Sequence, residues 1–206
     1  MAKFDKNKKI IISHFDNTIK EYKKGVKVVG WGSKKSQEIR FKILSEIGNL
    51  NGKTVLDVGC GLGDFYRFLK NDKKITLRKY VGIDINPLMI SIAKKKYPGV
   101  EFRVVDLLKN NFRGFFDYIL ASGLFGLKIS RWEAFSYKVL IKMYKISKIG
   151  IGANFLSAFT PFKKDRKSYY ANPFQISNFI RKNLSDKFAL RHDYKSNDFT
   201  VYIYKK

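Results

Sequence analysis

The run Val55-Leu56-Asp57-Val58-Gly59-Cys60-Gly61-Leu62-Gly63 constrains this chain more than any other segment. A short apolar stretch enters a turn with three glycines in five residues, and Asp64–Leu69 beyond it has helical spacing. Strand, glycine turn and helix in that order open many α/β sheets, because glycine lets the backbone take φ > 0 and approach a ligand closely. A GxGxG turn is common, so its weight comes from what surrounds it.

From Gly52 onward short apolar runs alternate with helical patterns. The strand candidates are Thr54–Val58, Tyr80–Asp84, Glu101–Val105, Tyr118–Ser122, Lys148–Phe155, Lys187–Asp193 and Phe199–Tyr204. The helix candidates are Asp64–Leu69, Pro87–Lys96, Arg131–Ile146 and Pro173–Asn183. Such alternation predicts an α/β fold, a Rossmann-like seven-stranded, mostly parallel sheet with helices on both faces. The link Lys195-Ser196-Asn197-Asp198 is too short for a parallel crossover, so the last strand should run antiparallel. Residues 1–50 read as an N-terminal helical cap and 51–206 as the core of a single domain. In the cap, Ile10–Lys24 and Ser33–Ile47 are helix candidates, Ser33 is placed to cap the second, and Val29-Gly30-Trp31-Gly32-Ser33 joins them. Ligands of open α/β sheets sit beyond the carboxyl ends of the strands, here near residues 59–63, 84–86, 106–108 and 122–125.

Asp84 closes the second strand candidate 21 residues past Gly63, where a ribose diol needs a paired acceptor, and Asp106 follows the third. Taken singly, either aspartate could be a turn or cap residue. The spacing leaves two cofactor classes open, dinucleotides and S-adenosylmethionine. Here the sequence resembles class I S-adenosylmethionine-dependent methyltransferases. VLDVGCGLGDF is similar to their motif I, YVGIDINPLMI to their ribose-binding motif, VVDLL to their adenine-binding acidic motif and FFDYILASG to their fourth-strand motif. The resemblance runs from about Lys53 to Phe155.

It implies S-adenosylmethionine as cofactor and S-adenosylhomocysteine as product. Gly59, Cys60, Gly61 and Gly63 would surround the methionine part, with Asp57 orienting the turn or reaching the amino group. Asp84 would accept both ribose hydroxyls with Ile85 against the adenine, and Asp106 would accept from the adenine amino group with Leu107 beside the ring. Ser122 and Gly123 would lie near the sulfonium. The lead-in is similar to caps that close over the cofactor in small-molecule methyltransferases: Trp31 could cover it, and Gln37 or Arg40 could meet its carboxylate. The plainer reading makes Trp31 a core anchor and Arg40 a surface residue.

No catalytic signature stands out. Ala121-Ser122-Gly123-Leu124 stands where amino methyltransferases of DNA carry Asn/Asp-Pro-Pro-Tyr/Phe. The lone Cys60 supports neither C5-pyrimidine chemistry, a disulfide nor a cysteine cluster, and no carboxylate–histidine grouping suggests a metal. Methyl transfer needs in-line positioning and desolvation, with a base only where the nucleophile must lose a proton. The histidines are His14 and His192, and His14, in the lead-in, is the better candidate base. Tyr22, Tyr169 and Tyr170 are candidate substrate contacts, the last two in a lid over residues 160–173 whose Lys163, Lys164, Arg166 and Lys167 would favour an acidic substrate.

The chain has 206 residues and a net charge of +25 from 42 Lys and Arg against 17 Asp and Glu. Such a balance suits a polyanion partner. The cations are 33 Lys and only 9 Arg, however, scattered without a basic tail, which fits compositional drift toward A/T-rich codons. No apolar run reaches the roughly 20 residues of a membrane span, and MAKFDKNKKI lacks the apolar core of a secretion signal. A reduced cytoplasmic setting is the expectation. The sequence therefore predicts methyl transfer to O or N of a small-molecule acceptor, with an RNA methyltransferase or a non-catalytic cofactor-binding subunit as alternatives.

Overall fold

The computed structural model describes residues 2–109 and 114–206, with side chains from residue 6 onward. Seven strands are present: β1 (Thr54–Val58), β2 (Lys79–Asp84), β3 (Glu101–Val104), β4 (Phe116–Ala121), β5 (Ser147–Leu156), β6 (Phe188–Arg191) and β7 (Asp198–Tyr204). They form one sheet in the order β3-β2-β1-β4-β5-β7-β6. β7 is antiparallel to both neighbours and the other pairings are parallel. The chain leaves β1 toward β2 and β3 on one side and returns to β4 on the other, so a crevice opens above β1 and β4.

Six helices cover the sheet: α1 (Ala2–Tyr22), α2 (Lys34–Ser45), α3 (Asp64–Arg67), α4 (Pro87–Lys96), α5 (Trp132–Ile146) and α6 (Pro173–Asn183). A 3-10 turn spans Val26–Val29, and a wider helical turn over Phe68–Asp72 prolongs α3. Side chains alternate across each strand. Val55, Tyr118, Leu120 and Tyr202 pack with Phe41 and Leu44 of α2, while Leu56, Ile119, Val201 and Ile203 pack with Leu140 of α5 and Ile180 of α6. Both faces are thus apolar, which is why the central strands read as continuous apolar runs.

Local chemistry sets the boundaries. The Ser33 side chain accepts from Ser36 N–H at 3.1 Å and caps α2. Asn86 does the same for α4 from Met89 N–H at 3.0 Å, and Pro87 supplies the first helical residue. Asp117 at the start of β4 accepts from Thr54 N–H (2.8 Å) and the Thr54 hydroxyl (2.9 Å), fixing β1 against β4. α1 begins eight residues before its expected start at Ile10, because the charged stretch ahead of Ile10 contains no helix breaker.

Candidate cofactor and active site

A cavity opens above the carboxyl ends of β1, β2 and β4. Its floor comprises Asp57 to Leu62, then Asp84 and Ile85, Asp106 and Leu107, and Ser122 to Leu124. The N-terminal segment roofs it through Asn7, Lys8, Ile11 and Phe15 of α1, with Val29, Trp31 and Gln37 behind. Of the sequence-predicted cofactor residues, all but Gly63 and Arg40 line this one space.

The two oxygens of Asp84 accept from Asn86 N–H (2.9 Å) and Gly61 N–H (3.0 Å), which ties the glycine turn to the end of β2. Burial raises its pKa, and these backbone donors work against that rise. Each oxygen keeps a further lone pair. Asp57 is fully buried and accepts from the Tyr80 hydroxyl at 2.6 Å. Desolvation, opposed by that bond and reinforced by Asp84, pushes its carboxyl up to about 7. Burial also raises the Cys60 thiol well above its ordinary value, so Cys60 is a small packing residue rather than a nucleophile. Asp106 accepts from Leu108 N–H at 3.1 Å, and its other oxygen lies 3.6 Å from Lys8 Nζ.

At the end of β4, Asn154 of β5 makes a two-point clamp. Its Oδ1 accepts from Gly123 N–H (2.8 Å) and its Nδ2 donates to Ser122 Oγ (3.1 Å). A Cβ on Gly123, at φ 74°, would stand 2.8 Å from Trp31 Cζ2, so the indole lies directly on that turn. Sequence reasoning missed Asn154. Its signal was a polar residue inside the apolar run Ile149–Leu156.

Arg40 is a correction. It does not line the cavity: Nε donates to Asp198 Oδ1 at 2.8 Å, Nη1 donates to Ser36 Oγ at 2.6 Å, and the guanidinium stacks 4.5 Å from the Trp31 ring. It holds Trp31 from behind rather than meeting a ligand, since the buried Asp198 needs its charge. Gly63 is likewise absent from the lining, although Leu62 and Asp64 on either side belong to it. It caps α3 at φ 76°, and a Cβ there would meet Phe102 Cζ at 2.8 Å, so it serves helix–strand packing.

The substrate assignments fare differently again. Tyr22, at the exposed end of α1, does not line the cavity. Tyr169 stacks 3.9 Å from Trp132 and donates to Glu133, and the Tyr170 hydroxyl accepts from Asp165 N–H at 3.0 Å. The expected lid over 160–173 is instead docked on the loop after β4, with Lys128 N–H on Lys167 O (2.8 Å) and Tyr169 N–H on Gly126 O (2.9 Å). His14 lies within electrostatic reach of this loop. Burial lowers its pKa, as does Lys167, while Asp165 opposes them, and it is absent from the cavity lining. His192 is held by Ser157 Oγ at 2.7 Å and stacks on Phe199. Sequence reasoning expected the lead-in to cover the pocket but named none of the α1 residues that do so. Asn7, Ile11 and Phe15 recur every four residues, and the later helix start hid the first of them.

Residues 55–145 match the family model described as a methyltransferase domain. A Mycobacterium tuberculosis protein named "Putative methyltransferase Rv1506c" is 28% identical over 160 residues, covering 74% of this chain and 93% of the relative. Among solved structures, magnesium protoporphyrin IX methyltransferase of Synechocystis PCC 6803, bound to S-adenosylmethionine, superposes with a TM-score of 0.68 at 16% identity, covering 97% of each chain. A Haemonchus contortus phosphoethanolamine N-methyltransferase gives 0.62 at 14%, covering 85% of this chain and 53% of that one. These two likenesses establish the fold. Residues 55–145 are thus similar to a methyltransferase domain, on a fold shared with a solved methyltransferase bound to S-adenosylmethionine.

Proposed function

We propose that the chain transfers a methyl group from S-adenosylmethionine to O or N of a small-molecule acceptor. The observation that carries this reading is the roofed cavity, in which α1 and Trp31 cover the strand ends where the cofactor belongs. In this reading residues 1–50 are the cap and 51–206 the core of one domain. A closed roof favours an acceptor small enough to be enclosed over a duplex or a large surface.

The residues fit the cofactor. Asp84 retains free lone pairs for the ribose diol, and Ile85 and Leu107 give apolar surface for the adenine, with Asp106 at its amino edge. The backbone of Gly59–Gly61 with Asp57 receives the methionine part, and Gln37, which lines the cavity where Arg40 does not, is the side chain left to meet the carboxylate. When bound, the cofactor supplies an already activated methyl group on a sulfonium. The chain's own task is alignment at Ser122 and Gly123, held by Asn154, and exclusion of water by Trp31. With His14 outside the lining, we assign no general base. Leu124, Leu127, Ile129 and Phe135 give the remainder an apolar wall, favouring an acceptor with an apolar body and a single nucleophilic O or N. An acidic acceptor loses the support of loop 160–173, which lies elsewhere.

The test is transfer of labelled methyl into a lysate split by size, with the large fraction assayed before and after ribonuclease. Label in the small fraction supports the reading and delivers the product. Label in the large fraction that ribonuclease removes overturns it in favour of RNA, the alternative that the +25 charge supports. Cofactor binding with no transfer to any fraction would instead mark a non-catalytic subunit.

A further inference from the structure

Asn7 is 3% exposed, lines the cofactor cavity, and is only half used. Its Nδ2 donates to Ser130 O at 2.8 Å, while its Oδ1 is buried with no hydrogen-bond partner among the described residues. A buried acceptor without a donor costs free energy comparable to a lost hydrogen bond, so native proteins leave few, and those at a ligand site await the ligand. The Nδ2 bond fixes which end of the amide is the orphan, because Ser130 O can only accept. Next to Asn7, Lys8 Nζ lies 3.6 Å from Asp106 Oδ2, so this turn of α1 reaches the Asp106 end of the cavity while Asn7 anchors it to the loop after β4.

We propose that Asn7 is a second reader of the adenine 6-amino group, acting beside Asp106. That amino group carries two N–H donors. Asp106, with one oxygen already accepting from Leu108 N–H, takes one, and Asn7 Oδ1 takes the other. Two acceptors facing one amino group reject a 6-oxo purine, which turns a carbonyl toward them and leaves both unpaired. The Lys8–Asp106 contact helps fasten α1 over the site. The helix then serves as a base-reading element as well as a roof. The inference rests on adenine lying at Asp106.

The experiment compares binding of S-adenosylhomocysteine with that of its 6-oxo counterpart, S-inosylhomocysteine, followed by quenching of the Trp31 indole. The natural protein should prefer the amino ligand by tenfold or more. In Asn7→Leu the amino ligand should weaken by about fivefold to tenfold, the worth of one buried hydrogen bond, while the 6-oxo ligand holds within about twofold, so the preference narrows. Loss of α1 packing would weaken both ligands equally, and that outcome overturns the proposal, as does an unchanged preference. If leucine prevents folding, Asn7→Ala gives the same comparison with a smaller side chain. Asp106→Asn separates the two layers. If it changes the preference and Asn7→Leu does not, Asn7 is not a reader. If neither changes it, adenine does not lie at this end and both assignments fall.

Discussion

Two residues in the cavity decide more than their size suggests. Gly123 has φ 74° and the Trp31 ring over it. Gly123→Ala adds backbone strain of about 1 kcal/mol and pushes the indole off the turn. We expect a modest fall in melting temperature and a tenfold or larger drop in methyl transfer, and normal turnover in that variant would remove Trp31 from its covering role. Asp57 gives a pH signature. Its carboxyl titrates near 7 folded against an ordinary value of 3.8, so the folded state binds the extra proton. The associated stability is present in full below about 4 and is lost as pH climbs through about 7. Asp57→Asn has no such proton to lose. The melting temperature of the natural protein, relative to that of the variant, should therefore fall between about pH 5 and about pH 7.5, and parallel curves would count against the raised value. Asp84 belongs at this scale too. Asp84→Ala removes the acceptor for Gly61 and Asn86 together with the proposed ribose contacts, so cofactor binding should vanish in a protein that still melts cooperatively.

At the scale of elements, the pair Arg40–Asp198 ties α2 to the first residue of β7, with side-chain exposures of 6% and 0%. Removing one partner leaves a buried charge and should cost about 3–5 kcal/mol. Arg40→Ala should thus lower the melting temperature sharply, while the cofactor affinity of what remains folded falls only as far as Trp31 loosens. Affinity lost at unchanged stability would restore Arg40 as a direct ligand contact. The case shows what the sequence could and could not say. β1, α4 and α6 were legible to the residue, because a short apolar run ending in a glycine turn and the Asn-Pro caps ahead of Pro87 and Pro173 are local signals. Asp57, Asp84 and Asp106 were legible as cavity residues because strand ends converge in any such sheet. Arg40 was not, since its partner lies 158 residues away and nothing near it announces a buried carboxylate. Tyr169 and Tyr170 were not, because a loop's composition gives no direction, and this one packs on the loop after β4.

Across the whole molecule the dominant physical fact is the excess of cations. Acidic side chains on the surface are drawn into ion pairs, such as Lys79–Glu101 at 3.1 Å and Arg191–Glu46 at 3.2 Å. The 17 acidic residues are too few to pair with all 42 basic ones. Salt acts on these two populations in opposite senses: it weakens the exposed pairs, each worth at most about 1 kcal/mol, and it relieves repulsion among the surplus cations. With a net charge of +25 the repulsion should win. Raising sodium chloride from about 0.05 M to about 0.5 M, which shortens the screening length from beyond about 10 Å toward a few Å, should raise the melting temperature. For a chain of this size each kcal/mol relieved corresponds to about 2–4 °C. The cavity, roofed and lined mainly by apolar side chains, lies outside this balance, so the affinity for uncharged adenosine should stay nearly constant over the same range. A melting temperature that falls with salt would mean that the local pairs outweigh the net charge. The surplus cations would then be spread too widely to repel strongly, the opposite of the dense patch that a dedicated polyanion surface requires.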